Sequence, residues 1–200
     1  MKNRKVEWMV KVSMLSAAAM VLMLFEFPMP FIAPAFYEMD LSEVPVLLGT
    51  FALGPMAGVM IEGIKIVLNL LINGTKTAGV GEFANFLVGV SFVLPAALVY
   101  KKNRTKKSAV LGMILGSVIM VTLGGFLNAY VLIPTYGKAF KMPLEAFVKM
   151  GNQIFPTVDS VGSLVLFCVV PFNIIKVIVV SLVTTIIYKP LSPVLKVKEK

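Results

Sequence analysis

The chain has 200 residues, of which 58% are hydrophobic and only 14% are charged, and its formal net charge is +9. A water-soluble domain of this composition would expose apolar patches large enough to cause aggregation. Histidine is absent and Cys168 is the one cysteine. This composition excludes an internal disulfide, a Cys-x-x-Cys motif, and catalysis or metal binding by histidine.

The basic residues concentrate in three clusters, each next to an apolar run. They are Lys2, Arg4 and Lys5; Lys101, Lys102, Arg104, Lys106 and Lys107; and Lys189, Lys196, Lys198 and Lys200. Lysine and arginine are in excess at the cytoplasmic ends of membrane helices. The positive charge is therefore explained by a multi-pass protein in the cell membrane with both termini in the cytoplasm, and no nucleic-acid partner is needed.

Apolar runs account for most of the chain. They are Val6–Phe27, Val44–Ile72, Val80–Tyr100, Ala109–Pro134 and Val161–Tyr188. Each is about as long as the roughly 20 residues that cross a bilayer core, or longer. We do not expect the first run to be a cleaved signal peptide, because it is long and no small-residue cleavage site follows it.

Charge placement requires a sixth crossing. If all three basic clusters are cytoplasmic, an even number of crossings must separate the first from the second, although only three apolar runs lie there. The run Val44–Ile72 is about 44 Å long as a helix, too long for one span, and Gly54-Pro55 is a turn signal inside it. We therefore predict a short second helix that ends near Leu53 and a third helix over Met56–Ile72.

The last run is also too long for one span, and Pro171 interrupts it. Because proline is best tolerated in the first turn of a helix, we predict a sixth helix from about Pro171 to Tyr188. The segment Val161–Val170 then becomes a re-entrant or interfacial piece on the outer side. Between the fifth and sixth helices, Pro143–Met150 is predicted to form a short surface helix. The fold class is an all-α membrane protein with six transmembrane helices, in one substrate-binding domain over residues 1–200.

A loop rich in proline and aromatic residues, Pro28–Glu43, precedes the short second helix. This helix is predicted to be only about 15–20 Å long and needs cover from its neighbours. Irregular backbone at such depth is tolerated where it is buried or lines a cavity. The loop, which includes Phe36, is therefore predicted to be a lid on the outer side.

Polar residues within or next to the spans are candidate site residues, because they are costly in a membrane. Those placed toward the outer side are Asp40, Asn85, Asn128, Tyr130, Asn173 and Lys176. Asn173 and Lys176 are three residues apart and share a helix face, where they offer donors and an acceptor that suit a planar heterocycle with an imide edge. Alternatively, helix ends are polar because the interface is wet, and Lys176 extends its ammonium to the interface.

Two further patterns have a structural and a functional interpretation. Glu62 and Lys65 are three apart in the third helix, either as an internal ion pair, which we favour, or on a surface that faces a partner. Ser13/Ala17 and Gly112/Gly116 are small-xxx-small pairs, which allow helices to approach closely. Packing within the bundle is the favoured role of both small pairs, and contact with a partner is the alternative.

Four segments, in order and spacing, resemble a known family. They are FEFPMPFIAPAFYEMDLSEVPVLLG, GPMAGVMIEGIK, GEFANFLVG and PFNIIK. Together they resemble the riboflavin-specific S component, the substrate-binding membrane subunit, of energy-coupling factor (ECF) transporters. The resemblance implies that riboflavin is captured on the outer side as transported ligand, without a cofactor, and that the chain associates with a transmembrane coupling subunit and two cytoplasmic ATPases.

The resemblance also implies roles for particular residues. Asn173 and Lys176 match the motif that contacts the edge of the isoalloxazine ring, and the stretch from Asp40 through Leu47 matches the lid over the ligand. Ser13 and Ala17 match a pattern of small residues that faces the coupling subunit, although Val21 departs from it. Asn85, Asn128, Tyr130 and Phe36 are added as ligand contacts because of their depth and chemistry.

Three alternatives remain open from the sequence. The first is an S component or secondary transporter for another small heterocyclic vitamin or metabolite. The second is an intramembrane enzyme, which is disfavoured because histidine is absent and no carboxylate pair is predicted at a common depth in the spans. The third is an assembly subunit that binds no ligand. The chain has no P-loop, so it would depend on partners for ATP hydrolysis.

Overall fold

The computed structural model describes residues 2–75 and 77–195, so Lys76 and the basic residues Lys196, Lys198 and Lys200 lie outside the described part. Nine α-helical segments are present in that part. They are α1 (Lys2–Met23), α2 (Glu43–Leu53), α3 (Pro55–Asn73), α4 (Val80–Asn103), α5 (Lys106–Leu127), α6 (Ile133–Ala139), α7 (Leu144–Asn152), α8 (Val161–Leu164) and α9 (Val170–Leu195).

Five helical rods in the described residues are long and apolar enough to cross a membrane, and the 11-residue α2 is a sixth, shorter apolar helix. The predicted break between α2 and α3 is confirmed. Gly54 separates the two helices with φ 102° and ψ 174°, a conformation that glycine adopts far more readily than other residues, and Pro55 occupies the first turn of α3. The predicted all-α membrane fold with a short second helix is therefore confirmed.

Two π-helical turns join helical segments into longer rods, and the second of them crosses the division that was predicted before Pro171. Asn128–Leu132 joins α5 to α6, and Val165–Val169 joins α8 to α9. Each π turn ends two residues before a proline, Pro134 or Pro171. The ring of a proline inside a helix clashes with the carbonyl four residues earlier, and a wider π turn relieves this clash while keeping the helix continuous.

This continuity corrects the prediction for the last span. The segment Val161–Val170 is neither re-entrant nor interfacial, because one helical rod runs from Val161 to Leu191 and beyond. Asn173 is therefore not in the first turn and a half of a helix but about 18 Å along it, at 1.5 Å per residue. Asn128 likewise lies well inside the 34-residue rod Lys106–Ala139 rather than near its end.

The rods pack around two apolar cores. The larger core is formed by α1 to α5 and α9, with fully buried residues such as Val46, Ile61 and Val93. The second core lies under the loop between α1 and α2 and contains Phe147, the free Cys168 and Phe172. The loop itself is held by a short antiparallel pairing of β1 (Phe27–Pro28) with β2 (Glu38–Met39). The predicted surface helix over Pro143–Met150 corresponds to α7.

Two of the basic clusters meet at one end of the bundle. Arg4 and Lys5 of α1, Lys101 of α4, and Arg104 line one cavity of about 980 Å³. The cavity also contains the turn at Gly54 between α2 and α3. At its edge, Trp8 donates a hydrogen bond from Nε1 to the carbonyl of Leu53 at 3.3 Å, which ties α1 to the end of α2. This proximity agrees with the charge argument that placed both clusters on one side of the membrane.

Gly112 and Gly116 allow α5 to approach the backbone of α4. A Cβ atom at Gly112 would lie 2.7 Å from the carbonyl oxygen of Ala96, and one at Gly116 would overlap the carbonyl oxygen of Phe92. These obstacles are backbone atoms, which cannot move aside as a flexible side chain would. The predicted role of this small-residue pair in packing within the bundle is therefore confirmed.

Replacing Gly116 by alanine is expected to destabilise the bundle by about 1–3 kcal/mol, the usual cost of overpacking a filled interior. The measurement is the midpoint of thermal unfolding in detergent, followed by circular dichroism. Gly162→Ala is the matched control, because the nearest atom to its added methyl group would be 3.9 Å away. Equal midpoints for the two variants would show that the close approach of α4 and α5 is not required.

Candidate substrate-binding site

The end of the bundle opposite the basic cavity carries a buried ion pair between the loop and α9. Lys176 Nζ lies 2.8 Å from Asp40 Oδ2, and their side chains are only 14% and 6% exposed. Asp40 also accepts a hydrogen bond at 2.7 Å from the backbone N–H of Ser42, which leads the chain into α2. Two of the predicted site residues are thus brought together, 136 positions apart in the sequence.

A second polar contact ties the loop to the π turn after α5. Tyr37 donates its hydroxyl proton to Asn128 Oδ1 at 2.7 Å, and the amide of Asn128 donates to the carbonyl of Gly124 at 2.8 Å. Asn173 faces the same place, since a Cβ atom on Gly124 would lie 3.5 Å from Asn173 Nδ2. The predicted residues Asn128 and Asn173 therefore lie close together, both buried.

Aromatic rings cover these polar groups. The ring of Phe36 lies 4.5 Å from that of Tyr37 and 5.6 Å from that of Phe147, and it meets the ring of Tyr136 edge-on at 6.3 Å. Tyr37 in turn packs at 5.9 Å from Phe172, next to Asn173. The loop, α6, α7 and α9 thus form an aromatic compartment beside the buried asparagines, and the predicted residue Phe36 belongs to it.

A cluster of charges lies immediately below, between α2 and α3. Lys65 Nζ is 2.8 Å from both Glu43 Oε1 and Glu62 Oε1, and it donates to Ser42 Oγ at 3.2 Å. Lys65 and Glu62 are fully buried. The favoured interpretation of these two residues as an internal ion pair is confirmed. The statement that no carboxylate pair shares a depth was wrong, because Glu43 opens a helix that begins within the bundle.

The pKa of Asp40 is held well below its ordinary value. Burial by itself raises the pKa of this carboxyl group, but the ammonium groups of Lys176 and Lys65 and the hydrogen bonds from Lys176 and Ser42 lower it by more. A depressed carboxyl pKa contributes stability above the ordinary value of about 4 that is lost only in stronger acid. The Asp40 carboxylate therefore stays charged throughout the neutral pH range.

The remaining predicted residues occupy different environments. Leu47 is fully buried in the larger core, one turn after Glu43, and Asn85 is half-buried near the start of α4. The structure does not bring Tyr130 to the buried polar groups: its side chain is 71% exposed and its ring packs on Phe126. Tyr130 is accordingly not retained as a ligand contact. Ser13 and Ala17 are exposed on the face of α1 that points away from the bundle. The role favoured from the sequence, packing within the bundle, is therefore wrong for these two residues.

Sequence reasoning missed several residues at this end of the molecule. They are Tyr37, Ser42 and Glu43. Tyr37 lies in the aromatic loop, and Ser42 and Glu43 lie in the stretch from Asp40 through Leu47 that was predicted to form the lid, but none of the three was assigned a contact of its own. The available signal is their position next to the short second helix. Because this helix is too short to span the membrane, residues near its N-terminus are expected to lie inside the bundle.

The candidate site is closed in this conformation. Asp40, Asn128 and Asn173 are buried, and the polar atoms of Asp40 and Asn128 bond to protein groups. A cavity of about 590 Å³ lies elsewhere, between the apolar sides of α5 and α9, and the larger basic cavity is at the opposite end. A ligand at the site would therefore have to displace the loop or its contacts.

Comparisons with known proteins point in one direction. The family model described as ECF transporter, substrate-specific component, matches residues 7–188. The chain is 38% identical over 188 residues to the riboflavin transporter RibU of Staphylococcus aureus, covering 94% of this chain and 92% of that protein. It is 35% identical over 190 residues to the riboflavin transporter FmnP of Bacillus subtilis, covering 94% of each.

A solved structure agrees with these sequence matches. It is an S component of a bacterial ECF transporter, with a TM-score of 0.74 and 38% identity, covering 96% of this chain and 99% of that one. The family consists of transporter components and not enzymes. The matches extend over almost the entire length on both sides, through the helices that carry the buried polar groups. The chain therefore belongs to the family of substrate-specific components of ECF transporters.

Proposed function

We propose that this protein binds riboflavin at the outer end of its helix bundle and carries it across the cell membrane as the S component of an ECF transporter. The observation that carries the proposal is the full-length similarity to two riboflavin transporters. The site supports it, because buried asparagines and a lysine lie beside an aromatic compartment that suits a flat, heteroaromatic ring. Such sites combine apolar walls with a few polar anchors.

In this proposal, the ligand and the loop compete for the same polar groups. Lys176 and Asn128 are the partners of Asp40 and Tyr37 in the closed conformation. Riboflavin would take over Lys176, Asn173 and Asn128 through its ring edge, while the loop closes again over it as a lid. Because ligand and loop use the same groups, binding shifts the loop between two states, which is the requirement for a coupled conformational change.

The other predicted site residues have defined places in this proposal. Phe36 flanks the ring system, and Asp40 and Leu47 bracket the chain segment that closes over it. Asn85 lies near the start of α4 and is proposed to bind the ribityl chain. The chain needs no cofactor for this function.

Membership in the ECF family supports the proposed partners, and the sequence contains no P-loop of its own for ATP hydrolysis. We propose that a transmembrane coupling subunit and two cytoplasmic ATPase subunits supply the energy. The two basic clusters that meet at the end opposite the site support a cytoplasmic location of that end, and we propose that both termini lie in the cytoplasm. The exposed face of α1 with Ser13 and Ala17 is the proposed contact with the coupling subunit, since small exposed residues let a second helix approach closely.

Replacing Ala17 by tryptophan is expected to reduce riboflavin uptake at least tenfold while leaving riboflavin binding by the isolated protein unchanged. The side chain is exposed, so the larger group is tolerated by the fold but blocks close helix contact. Uptake is measured in cells that also produce the partner subunits. Val118→Trp on the exposed side of α5 is the matched control. Equal uptake by both variants would place the coupling interface elsewhere.

The proposed function is tested by titrating the detergent-purified protein into riboflavin and recording flavin fluorescence. We expect quenching at a stoichiometry of one flavin per chain, and a yellow preparation when cells are grown with the vitamin. A colourless protein that leaves flavin fluorescence unchanged would contradict the proposal. A second titration with other heterocyclic vitamins then distinguishes a transporter for a different metabolite from a subunit that binds no ligand.

A further inference from the structure

The charged cluster beneath the loop is not balanced. It contains Asp40, Glu43 and Glu62, which are 5%, 4% and 0% exposed, but only two lysines, Lys65 and Lys176. If every group were ionised, the cluster would carry one net negative charge inside the helix bundle. Isolated charges in such surroundings are strongly disfavoured, and a group neutralises instead.

The excess negative charge lies between Glu43 and Glu62. Asp40 is satisfied, because Oδ2 accepts from Lys176 and Oδ1 from the N–H of Ser42. By contrast, Oε2 of Glu43 and both carboxylate oxygens of Glu62 are buried and have no hydrogen-bond partner among the described residues, although Oε1 of Glu62 lies within ion-pair distance of Lys65. Their Oε1 atoms share the single ammonium group of Lys65, each at 2.8 Å. One lysine thus faces two carboxylates that each have an oxygen left over.

The surroundings of this pair leave little space for a ligand larger than a proton. The α4 backbone closes one side, since a Cβ atom on Gly89 would lie 2.6 Å from Cδ of Glu62 and 3.2 Å from Oε1 of Glu43. No group of three His, Cys, Asp or Glu residues that could hold a metal ion occurs in the part of the chain that the structure describes. The ammonium of Lys65 also occupies the position between the carboxylates that a metal cation would need.

We propose that Glu43 and Glu62 form a proton-binding site that holds one proton between them at neutral pH. The proton resides on an Oε2 atom, and it converts a cluster of three acids and two lysines into a neutral one. The two carboxyl groups share the proton because both contact the same ammonium group of Lys65. The charged groups around the pair are Lys65 on α3, Asp40 in the loop and Lys176 on α9.

The cluster extends to the candidate ligand site. Lys65 bonds Ser42 Oγ, the N–H of Ser42 bonds Asp40, and Asp40 bonds Lys176. Any event that separates Asp40 from the cluster removes one negative charge from it, and the remaining four groups are then neutral without the proton. Opening of the loop therefore releases the proton to the water that enters at this end, and closing of the loop takes a proton up from water. The existence of the site does not depend on which molecule is transported.

The test is infrared spectroscopy of the ligand-free protein, reconstituted in lipid at neutral pH. A buried protonated carboxyl group gives a carbonyl stretching band that is separate from the amide band and moves to lower frequency in D₂O. We expect this band in the unaltered protein and its complete loss in both Glu62→Gln and Glu43→Gln, because either change makes the remaining cluster neutral. Glu145→Gln, at an exposed position on α7, is the matched control and should keep the band.

Two results would overturn the proposal: absence of the band in the unaltered protein, or a band that both cluster variants retain. Because glutamine has the size of a protonated glutamate, these variants are expected to fold, and elution as a single species in size-exclusion chromatography checks this. If one variant does not fold, the other decides the test. Riboflavin binding is recorded separately, so a failed proton site and a failed riboflavin assignment give different results.

Discussion

Replacing Lys65 by methionine is expected to destabilise the protein by about 3–5 kcal/mol, the cost of leaving a buried charge without its partner. Methionine fills a similar volume but provides no charge to Glu43 and Glu62, both of which contact the Lys65 ammonium at 2.8 Å. The measurement is the midpoint of thermal unfolding in detergent at neutral pH.

Two further variants show whether the charge is responsible. Lys149→Met removes an exposed lysine on α7 and should leave the midpoint unchanged. The double variant Lys65→Met/Glu62→Gln should recover part of the lost stability, since it leaves one acidic side chain instead of two without the ammonium group. If the double variant is no more stable than Lys65→Met, the loss comes from packing and not from charge.

Replacing Lys176 by alanine is expected to weaken riboflavin binding by roughly ten- to a hundredfold. A hydrogen bond to a charged group contributes about 1.5–3 kcal/mol, and about 1.4 kcal/mol corresponds to a tenfold change in affinity. Asn173→Ala should act in the same direction, because its amide faces the same compartment. The measurement is the fluorescence titration used to test the proposed function.

The controls separate ligand contact from folding. Lys176→Ala by itself leaves Asp40 buried without its ammonium partner, which could impair folding as well as binding. The double variant Lys176→Ala/Asp40→Asn removes the unpaired charge as well and therefore isolates the effect on binding. The double variant should fold normally and still bind riboflavin weakly. Lys138→Ala, at an exposed position of α6, should bind as the unaltered protein does. Full affinity in the double variant would exclude Lys176 from the binding site.

The sequence contained enough information for the short second helix but not for the course of the long ones. Charge parity and Gly54-Pro55 predicted the break after Leu53, because both depend on local rules for topology and backbone conformation. Another local rule, the preference of proline for the first turn of a helix, predicted a helix start at Pro171 that does not exist. A π turn accommodates this proline inside a continuous helix, and whether such a turn forms depends on packing against neighbouring helices, which no local pattern records.

Some residues of the candidate site were likewise predictable from the sequence and others were not. Asn173 and Lys176 were predictable from their spacing and from the cost of polar groups in a membrane. Tyr37 and Glu43 were not, because each acquires its meaning from a residue far away in the sequence, Asn128 or Lys65. Tyr130 shows the opposite error. Its depth resembled that of Asn128, but the helix turns it to the exposed side.

The hydrogen bond from Trp8 to Leu53 holds a fluorescent side chain at a fixed position in the molecule. Trp8 is the only tryptophan in the chain, and it is anchored at the C-terminal end of α2, whereas the candidate flavin site lies beyond the N-terminal end of that helix. The 11 residues of α2 separate the two ends by about 16 Å. Over such a distance, a bound flavin would accept excitation energy from the indole ring, so the intrinsic emission of one residue would report both occupancy of the site and its separation from the opposite end of α2.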